Sequence, residues 1–256
     1  MVTLWFAALS SSILGKSPTL VAHWNFANLN DQTVVTDVSG HHVDAQLLNG
    51  ARKVSLSANT TTSLTAALFL GNASTGAGFS AHHHSTIDKL YEFSIAFYIN
   101  WWWAGADPVL AQKGGEDGFL LELYRQMPKV YIGDESGKIE YTWYPHQCAY
   151  LTPGQWKHVV LTYSDNGETN LYVDGVHCGD YRGSKGHLRS NDKDLTIGTF
   201  SGLVSDVRVY DKSIGQDLVD TICTPEILAS YRAAPNFQTP SASAIAATNR
   251  GWRIDP

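Results

Sequence analysis

Two aromatic clusters hold the residues best suited to recognition chemistry. Trp101-Trp102-Trp103 follow the apolar run FSIAFYIN and stand just before the turn residues Gly105, Asp107 and Pro108. Strand side chains alternate between faces, so three consecutive indoles cannot all enter one core. At least one is left for solvent or for a second layer. Tyr141-Thr142-Trp143-Tyr144-Pro145-His146 raises the same question. Whichever face turns inward, an aromatic stays on the other. Large flat rings, some with a polar tip, suit stacking against a pyranose in a partly wet site. Trp101, Trp102, Trp103, Tyr141, Trp143, Tyr144 and His146 are therefore the candidate ligand-binding residues. Packing into the core or under a loop is the competing reading for each ring.

Catalytic patterns are harder to find. Glycoside hydrolysis needs two carboxyls about 5–9.5 Å apart. In the acid-rich stretch 116–122, Glu116 and Glu122 share a face but stand about 20 Å apart at the strand rise, and Asp117 points away from Glu122. A pair assembled across strands stays open. Tyr141, Tyr144, His146, Arg125 and Gln126 are side-chain types that polysaccharide lyases use, though a surface cluster is the plainer reading. GNASTG at 71–76 lacks the Gly-x-Ser-x-Gly spacing. Within His82-His83-His84, the first and third would share a strand face, but Asp88 lies beyond Ser85-Thr86-Ile87 and nothing else stands at ligand spacing. A polar edge strand is expected there.

The elements that must carry these residues are mostly strands. In 154–176, GQWKHVVLTYSDNGETNLYVDGV alternates, turns at Asn166-Gly167 and turns again at Asp174-Gly175. Aromatic or β-branched runs at 20–26, 67–70, 93–99, 119–124, 129–132, 139–143, 195–197 and 203–210 are bounded by Gly, Asn, Asp or Pro. Thr224-Pro225-Glu226 begins a short C-terminal helix, with Thr as cap and Pro at its first position. The fold class is all-β: a two-sheet antiparallel β-sandwich, or jelly roll, closed by that helix.

Composition bounds the rest. The chain has 256 residues, 43% hydrophobic and only 16% charged, with net charge −6. That balance speaks against nucleic-acid binding, which needs clustered Lys and Arg. No apolar run of about 18 residues offers a transmembrane segment. Residues 1–18 read as an N-terminal arm or a signal segment: 2–14 is apolar, but no Lys or Arg precedes Lys16. Residues 19–234 form the sandwich, and 235–256, rich in Ala, Ser, Pro and Thr, a tail or linker. Of three cysteines, Cys148 and Cys178 are brought near one another by the hairpin, which allows a bridge. Asn59 and Asn72 begin glycosylation sequons.

HWNF (23–26), DVSGHHVDAQLLNG (37–50), YEFSIAFYINWWW, the 154–176 hairpin, GLVSDVRVYDKSI and, after an insertion at 215–224, PEILASYRAA occur in an order that resembles a laminin-G-like jelly-roll domain. That family belongs to the concanavalin A-like lectin/glucanase superfamily, and the resemblance spans 19–234. It implies that Trp24 and Trp156 are packing residues and that His41, His42 and His158 are structural. It also implies a structural Ca²⁺ held by Asp37, Asp44 and Asp206. Where the family commonly has Asp-Glu at the last position, this chain has Ser205-Asp206, one carboxylate fewer; turn capping is the alternative for Asp37. The lyases' Gln-Ile-His string is absent.

The expected function is a non-catalytic, lectin-like module that binds a glycan or another surface, extracellular or surface-associated, with self-association open. One alternative is a structural or adhesion module binding protein in an appendage, matrix or particle shell. A second is a polysaccharide lyase or hydrolase. One sandwich serves all three.

Overall fold

Strand chemistry dominates the computed structural model, which describes residues 17–27, 29, 33–56, 66–70, 76–102, 108–135, 137–142, 148, 150–182 and 186–234. In chain order its elements are β1 (Leu20–Trp24), β2 (Val34–Val35), β3 (Ala45–Leu48), β4 (Arg52–Ser55), β5 (Ala66–Phe69), β6 (Gly78–Ala81), α1 (Ser85–Asp88), β7 (Phe93–Trp101), β8 (Val109–Lys113) and β9 (Phe119–Tyr124). Then come β10 (Met127–Asp134), β11 (Gly137–Thr142), β12 (Lys157–Tyr163), β13 (Glu168–Val173), β14 (Val176–Arg182), β15 (Leu195–Gly198), β16 (Gly202–Tyr210), α2 (Gln216–Ile222) and α3 (Pro225–Ala233).

They form two eight-stranded antiparallel sheets. The first runs β14-β13-β12-β7-β16-β5-β4, with β1 also paired to β16; the second runs β11-β10-β9-β8-β15-β6-β3-β2. Facing rings lock the two together. Trp24 meets Phe79 edge-on at 5.3 Å, and Phe93 stacks on Phe119 at 4.5 Å. The expected β-sandwich is present.

The two sheets differ on their outer sides. Every residue of β7 is buried. Phe93, Ile95, Phe97, Ile99 and Trp101 enter the central core, while Ala96 and Tyr98 join two clusters on the opposite face. Those clusters are sealed by helices: Val219 and Ile222 of α2 sit with Val160, Tyr172 and Tyr210, and Leu228 and Tyr231 of α3 sit with Tyr98 and Trp156. A strand dry on both faces is a nearly continuous apolar run, as FSIAFYI is. The α3 cap is as expected, with Thr224 Oγ1 accepting the Ile227 amide at 3.2 Å. The α2 helix lies in the segment read as an insertion.

Turn geometry sets the hairpins. Asp174 and Gly175 both have positive φ, 53° and 81°, in a two-residue turn that pairs Val173 with Val176. At Asn166-Gly167 only the glycine is left-handed, at 79°, and the Gly167 amide donates to Ser164 O at 2.9 Å in a longer loop. Cys148 and Cys178 are bridged, Cα to Cα 5.7 Å. Tyr141 of β11 stacks on Tyr181 of β14 at 4.2 Å, joining one edge strand of each sheet.

The histidine triplet departs from expectation. β6 ends at Ala81, and His84 caps α1 by accepting the Thr86 amide at 3.3 Å. The triplet is therefore a helix entry and not an edge strand. Tertiary folding also gives two of its members acid partners: His82 meets Asp194 at 3.1 Å and His83 meets Asp88 at 3.0 Å.

Candidate functional site

The aromatic candidates divide. Trp101 is 3% exposed and donates its indole N–H to Leu151 O at 2.8 Å. Trp102 is 6% exposed, bonds Asn100 Oδ1 at 3.1 Å and lies against Phe69 at 5.7 Å. Tyr141 pairs with inward-facing Val130 and packs on the core. Trp103, Trp143, Tyr144 and His146 lie outside the described residues. Alternation does not push Trp101 or Trp102 into water because the first sheet has no wet face in their neighbourhood: core lies on one side and the α3 cluster on the other.

The three acids proposed for calcium are strung along one neighbourhood, but protein donors already engage them. Asp37 Oδ1 accepts the amides of His23 and Ser39, both at 2.8 Å; its Oδ2 accepts Ser39 Oγ at 2.7 Å and the Val43 amide at 3.0 Å. Burial alone would raise its pKa, but these donors hold it below the usual carboxylate value. Asp44 Oδ1 takes the Asp37 amide at 2.8 Å. A bulge in β16 puts Asp206 at φ 49° and turns it to His23 Nε2 at 2.5 Å and Arg208 Nη2 at 2.9 Å. Burial opposes the Asp206 charge, yet His23 and Arg208 lower its pKa. Calcium takes six to eight oxygens. Among the described residues no three acids, histidines or cysteines gather to hold a metal, and these carboxylates as arranged do not fit the ion. Adding EDTA is therefore expected to move the melting temperature by less than about 1 °C, since only a ligand held by the native state stabilises it. A fall of several degrees, restored by calcium, would contradict this.

A different surface assembles the chemistry. On the second sheet, Val35, Ala45, Phe79, Ile197, Ala111, Leu121, Val130 and Ile132 point into the core. By alternation their neighbours point outward. Register aligns one outward residue from every strand: Val34 with Gln46, Gln46 with Ser80, Ser80 with Thr196, Thr196 with Gln112, Gln112 with Leu120, Leu120 with Tyr131, and Tyr131 with Glu140. The row runs from edge strand β2 to edge strand β11. Among the described residues, the strand residues of the helix-capped clusters all come from the first sheet.

One end of this face is polar. Ser80 Oγ donates to Asp194 Oδ2 at 3.1 Å and lies 3.4 Å from Thr196 Oγ1, while His82 Nδ1 meets the same Asp194 oxygen. In an acyl-transfer triad the imidazole stands between serine and acid. Here the acid stands between them, so His82 is not placed to take the Ser80 proton.

The other end is aromatic and charged. Lys129 Nζ lies 2.9 Å from Glu140 Oε1, 3.6 Å from Glu122 Oε1 and 4.6 Å from the Tyr131 ring centroid. Lys138 pairs with Glu116 and sits 5.1 Å over the same ring. Burial works against the Lys129 charge, but hydrogen bonds to Tyr131 and Glu140 outweigh it and raise its pKa. Glu122 and Glu140 are thus the cross-strand carboxylate pair that sequence could not display. Hydrolysis needs the space between such a pair for sugar or water. In this structure the Lys129 ammonium bridges them.

A family model described as the concanavalin A-like lectin/glucanases superfamily (Laminin_G_3) matches residues 72–220. No curated protein matches. Among solved structures, the binding domain of Paraclostridial Mosquitocidal Protein 1 superposes with TM-score 0.64 at 14% identity, over 80% of this chain and 51% of that one. Domain 4 of AbnA, a GH43 extracellular arabinanase from Geobacillus stearothermophilus in complex with arabinotriose, gives 0.60 at 15%, over 81% and 99%. The receptor binding domain of botulinum neurotoxin C/D mosaic serotype gives 0.60 at 13%, over 80% and 50%. The chain thus spans about half the length of these toxin domains and nearly all of the arabinanase domain. At such identities the superpositions speak for the fold, and the family match covers more than half of the sequence. The chain belongs to the concanavalin A-like lectin/glucanases superfamily, as a laminin-G-like jelly roll.

Proposed function

We propose that the chain is a non-catalytic glycan-binding module whose ligand lies on the outer face of the second sheet. The observation that carries this reading is the outward row itself. Gln46, Thr196 and Gln112 offer amides and a hydroxyl for sugar hydroxyls, and half-buried Leu120 offers apolar area beside them. The arabinotriose of the AbnA domain and the receptor-binding role named for the neurotoxin domain agree with a recognition role for this fold. The Cys148–Cys178 bridge suits an oxidising, extracellular or surface-associated setting. No helix among the described residues is long and apolar enough to cross a membrane.

Calorimetry or polysaccharide pull-down tests the reading. Leu120→Ala, at a half-buried position, is expected to weaken binding at least about tenfold, roughly 1.4 kcal/mol. Gln112→Ala, at a half-buried position, should weaken it about threefold without disturbing the fold. Both should keep the parent circular dichroism. Undiminished affinity in both, or no glycan bound at all, defeats the proposal. Release of new reducing ends from a bound polysaccharide would defeat its non-catalytic part.

A further inference from the structure

We infer that the cleft between α3 and the β13–β14 turn binds a small alkyl carboxylate, its chain against α3 and its carboxylate on Arg232. The cleft lies on the helix-capped side of the first sheet, away from the glycan face. Its volume is about 490 Å³, within the range of small-molecule sites. From α3 it is lined by Pro225, Leu228, Ala229, Arg232 and Ala233. Their spacing of three and four residues puts them on one face of that helix. Asp174 of the turn stands across from them, and Cys223 of the α2–α3 link completes the lining. Hydrogen bonds hold these walls in place. Gln216 Nε2 of α2 donates to Gly175 O at 2.7 Å, and the Tyr98 hydroxyl donates to Ile222 O, next to Cys223, at 3.0 Å. Arg232 Nη2 donates to Asp174 Oδ2 at 2.8 Å and so ties α3 to the turn. A cleft already formed costs a ligand little ordering.

The lining selects the ligand. Its apolar side chains are aliphatic and offer no ring for a sugar to stack on, whereas an alkyl chain gains by leaving water. Cys223 is buried, and that burial pushes its thiol up to about 11, so it remains a neutral S–H and behaves as a small apolar group. The head group is set by Arg232. Its side chain is 51% exposed, and the bond to Asp174 uses only one corner of a guanidinium fork that suits carboxylates. Asp174 does not depend on that bond. Lys157 Nζ donates to the same Oδ2 at 2.7 Å, and the His158 amide donates to Oδ1 at 3.0 Å. A ligand carboxylate can therefore share or take the guanidinium without leaving a buried acid unpaired. Asp220, the other acid close enough to act on Cys223, accepts from Gln216 Nε2 at 2.6 Å.

The test is calorimetry of the full chain with straight-chain acids from butanoate to dodecanoate, each below its micelle-forming concentration, and with the matching alcohols. Affinity for the acids should rise about twofold to threefold per added methylene until the cleft is full. The alcohols should bind at least about tenfold more weakly than acids of equal length. Arg232→Gln should remove most of that difference, and Lys157 should keep Asp174 paired in the variant. Ala229→Trp, at an exposed position on the cleft wall, should weaken acid and alcohol alike at least about tenfold. Both variants should keep the parent circular dichroism. Cys223 is the cysteine outside the disulfide and reports on the site directly: bound decanoate should slow its labelling by a maleimide at least about threefold. Equal affinity for acid and alcohol overturns the inference. So does acid binding that Ala229→Trp leaves intact, or no binding of any acid. None of these outcomes bears on the glycan face.

Discussion

Tyr231→Ala is expected to lower the unfolding free energy by about 4 kcal/mol and the melting temperature by about 10 °C. Tyr231 is fully buried. Its ring stacks on Tyr98 at 3.9 Å and 16° and lies 4.9 Å from Trp156. Its hydroxyl donates to Ser205 Oγ at 2.9 Å, and that hydroxyl donates to Ala66 O at 2.7 Å. Truncation therefore removes ring contacts, opens a hole beneath α3 and strips one partner from a buried hydroxyl. Tyr231→Phe keeps the ring and should cost only about 1 kcal/mol. Urea titration of both variants checks the difference. A loss below about 1 kcal/mol for the alanine variant would mean that α3 does not seal the first sheet.

How much of this architecture the chain announces depends on where each signal lives. Strand runs such as FSIAFYI and FLLELY declare themselves because β-branched and aromatic side chains favour a pleated surface, and Thr224-Pro225 declares α3 by local capping. The 154–176 hairpin was legible from Asn-Gly and Asp-Gly for the same local reason. The short strands β2, β4 and β6 were not. β2 is only two residues long, β4 and β6 mix charged or small residues with a single strand former each, and all three are strands because neighbours pair with them.

The binding face was illegible for a related reason. Gln46, Thr196 and Gln112 come from three distant segments, and only register makes them adjacent. Glu122 and Glu140 meet because β9 and β11 both pair with β10. The alternation of Leu120, Glu122 and Tyr124 within FLLELY was the one local hint of an outward face. The tryptophans misled in the opposite direction. Alternation was read as if one face of the sheet must be wet, and the contribution of α2 and α3 to the dry side is a tertiary fact.

Acid should reveal the other consequence of that dry side. His158 is 2% exposed, and its Nδ1 has no hydrogen-bond partner. Its ring lies 4.5 Å from that of Tyr98, which itself stacks on Tyr231 of α3. Burial lowers its pKa to about 3; Asp206 opposes the shift and Arg208 adds to it. The unfolded chain takes up this proton near pH 6.5, whereas the folded chain refuses it until about 3. Between those limits the unfolded state binds more protons, so stability falls as pH falls, by up to about 1.4 kcal/mol per unit. The loss reaches about 4 kcal/mol near pH 3.5. Asp37, Asp88 and Asp206 have lowered pKa values, so their stabilisation fades only below the ordinary carboxylate value of 3.8. The interval from pH 6.5 to 4.5 therefore isolates the histidine contribution. His158→Phe keeps a ring in place, removes the titrating group and eliminates the orphaned nitrogen. Between pH 7 and 4.5 the parent should lose about 2–3 kcal/mol in urea titrations, and the phenylalanine variant less than about 1. The remaining histidines are common to both proteins and cancel in the comparison. Parallel profiles would show that His158 takes up its proton without hindrance in the folded state, and a ring buried beside Tyr98 could not do so.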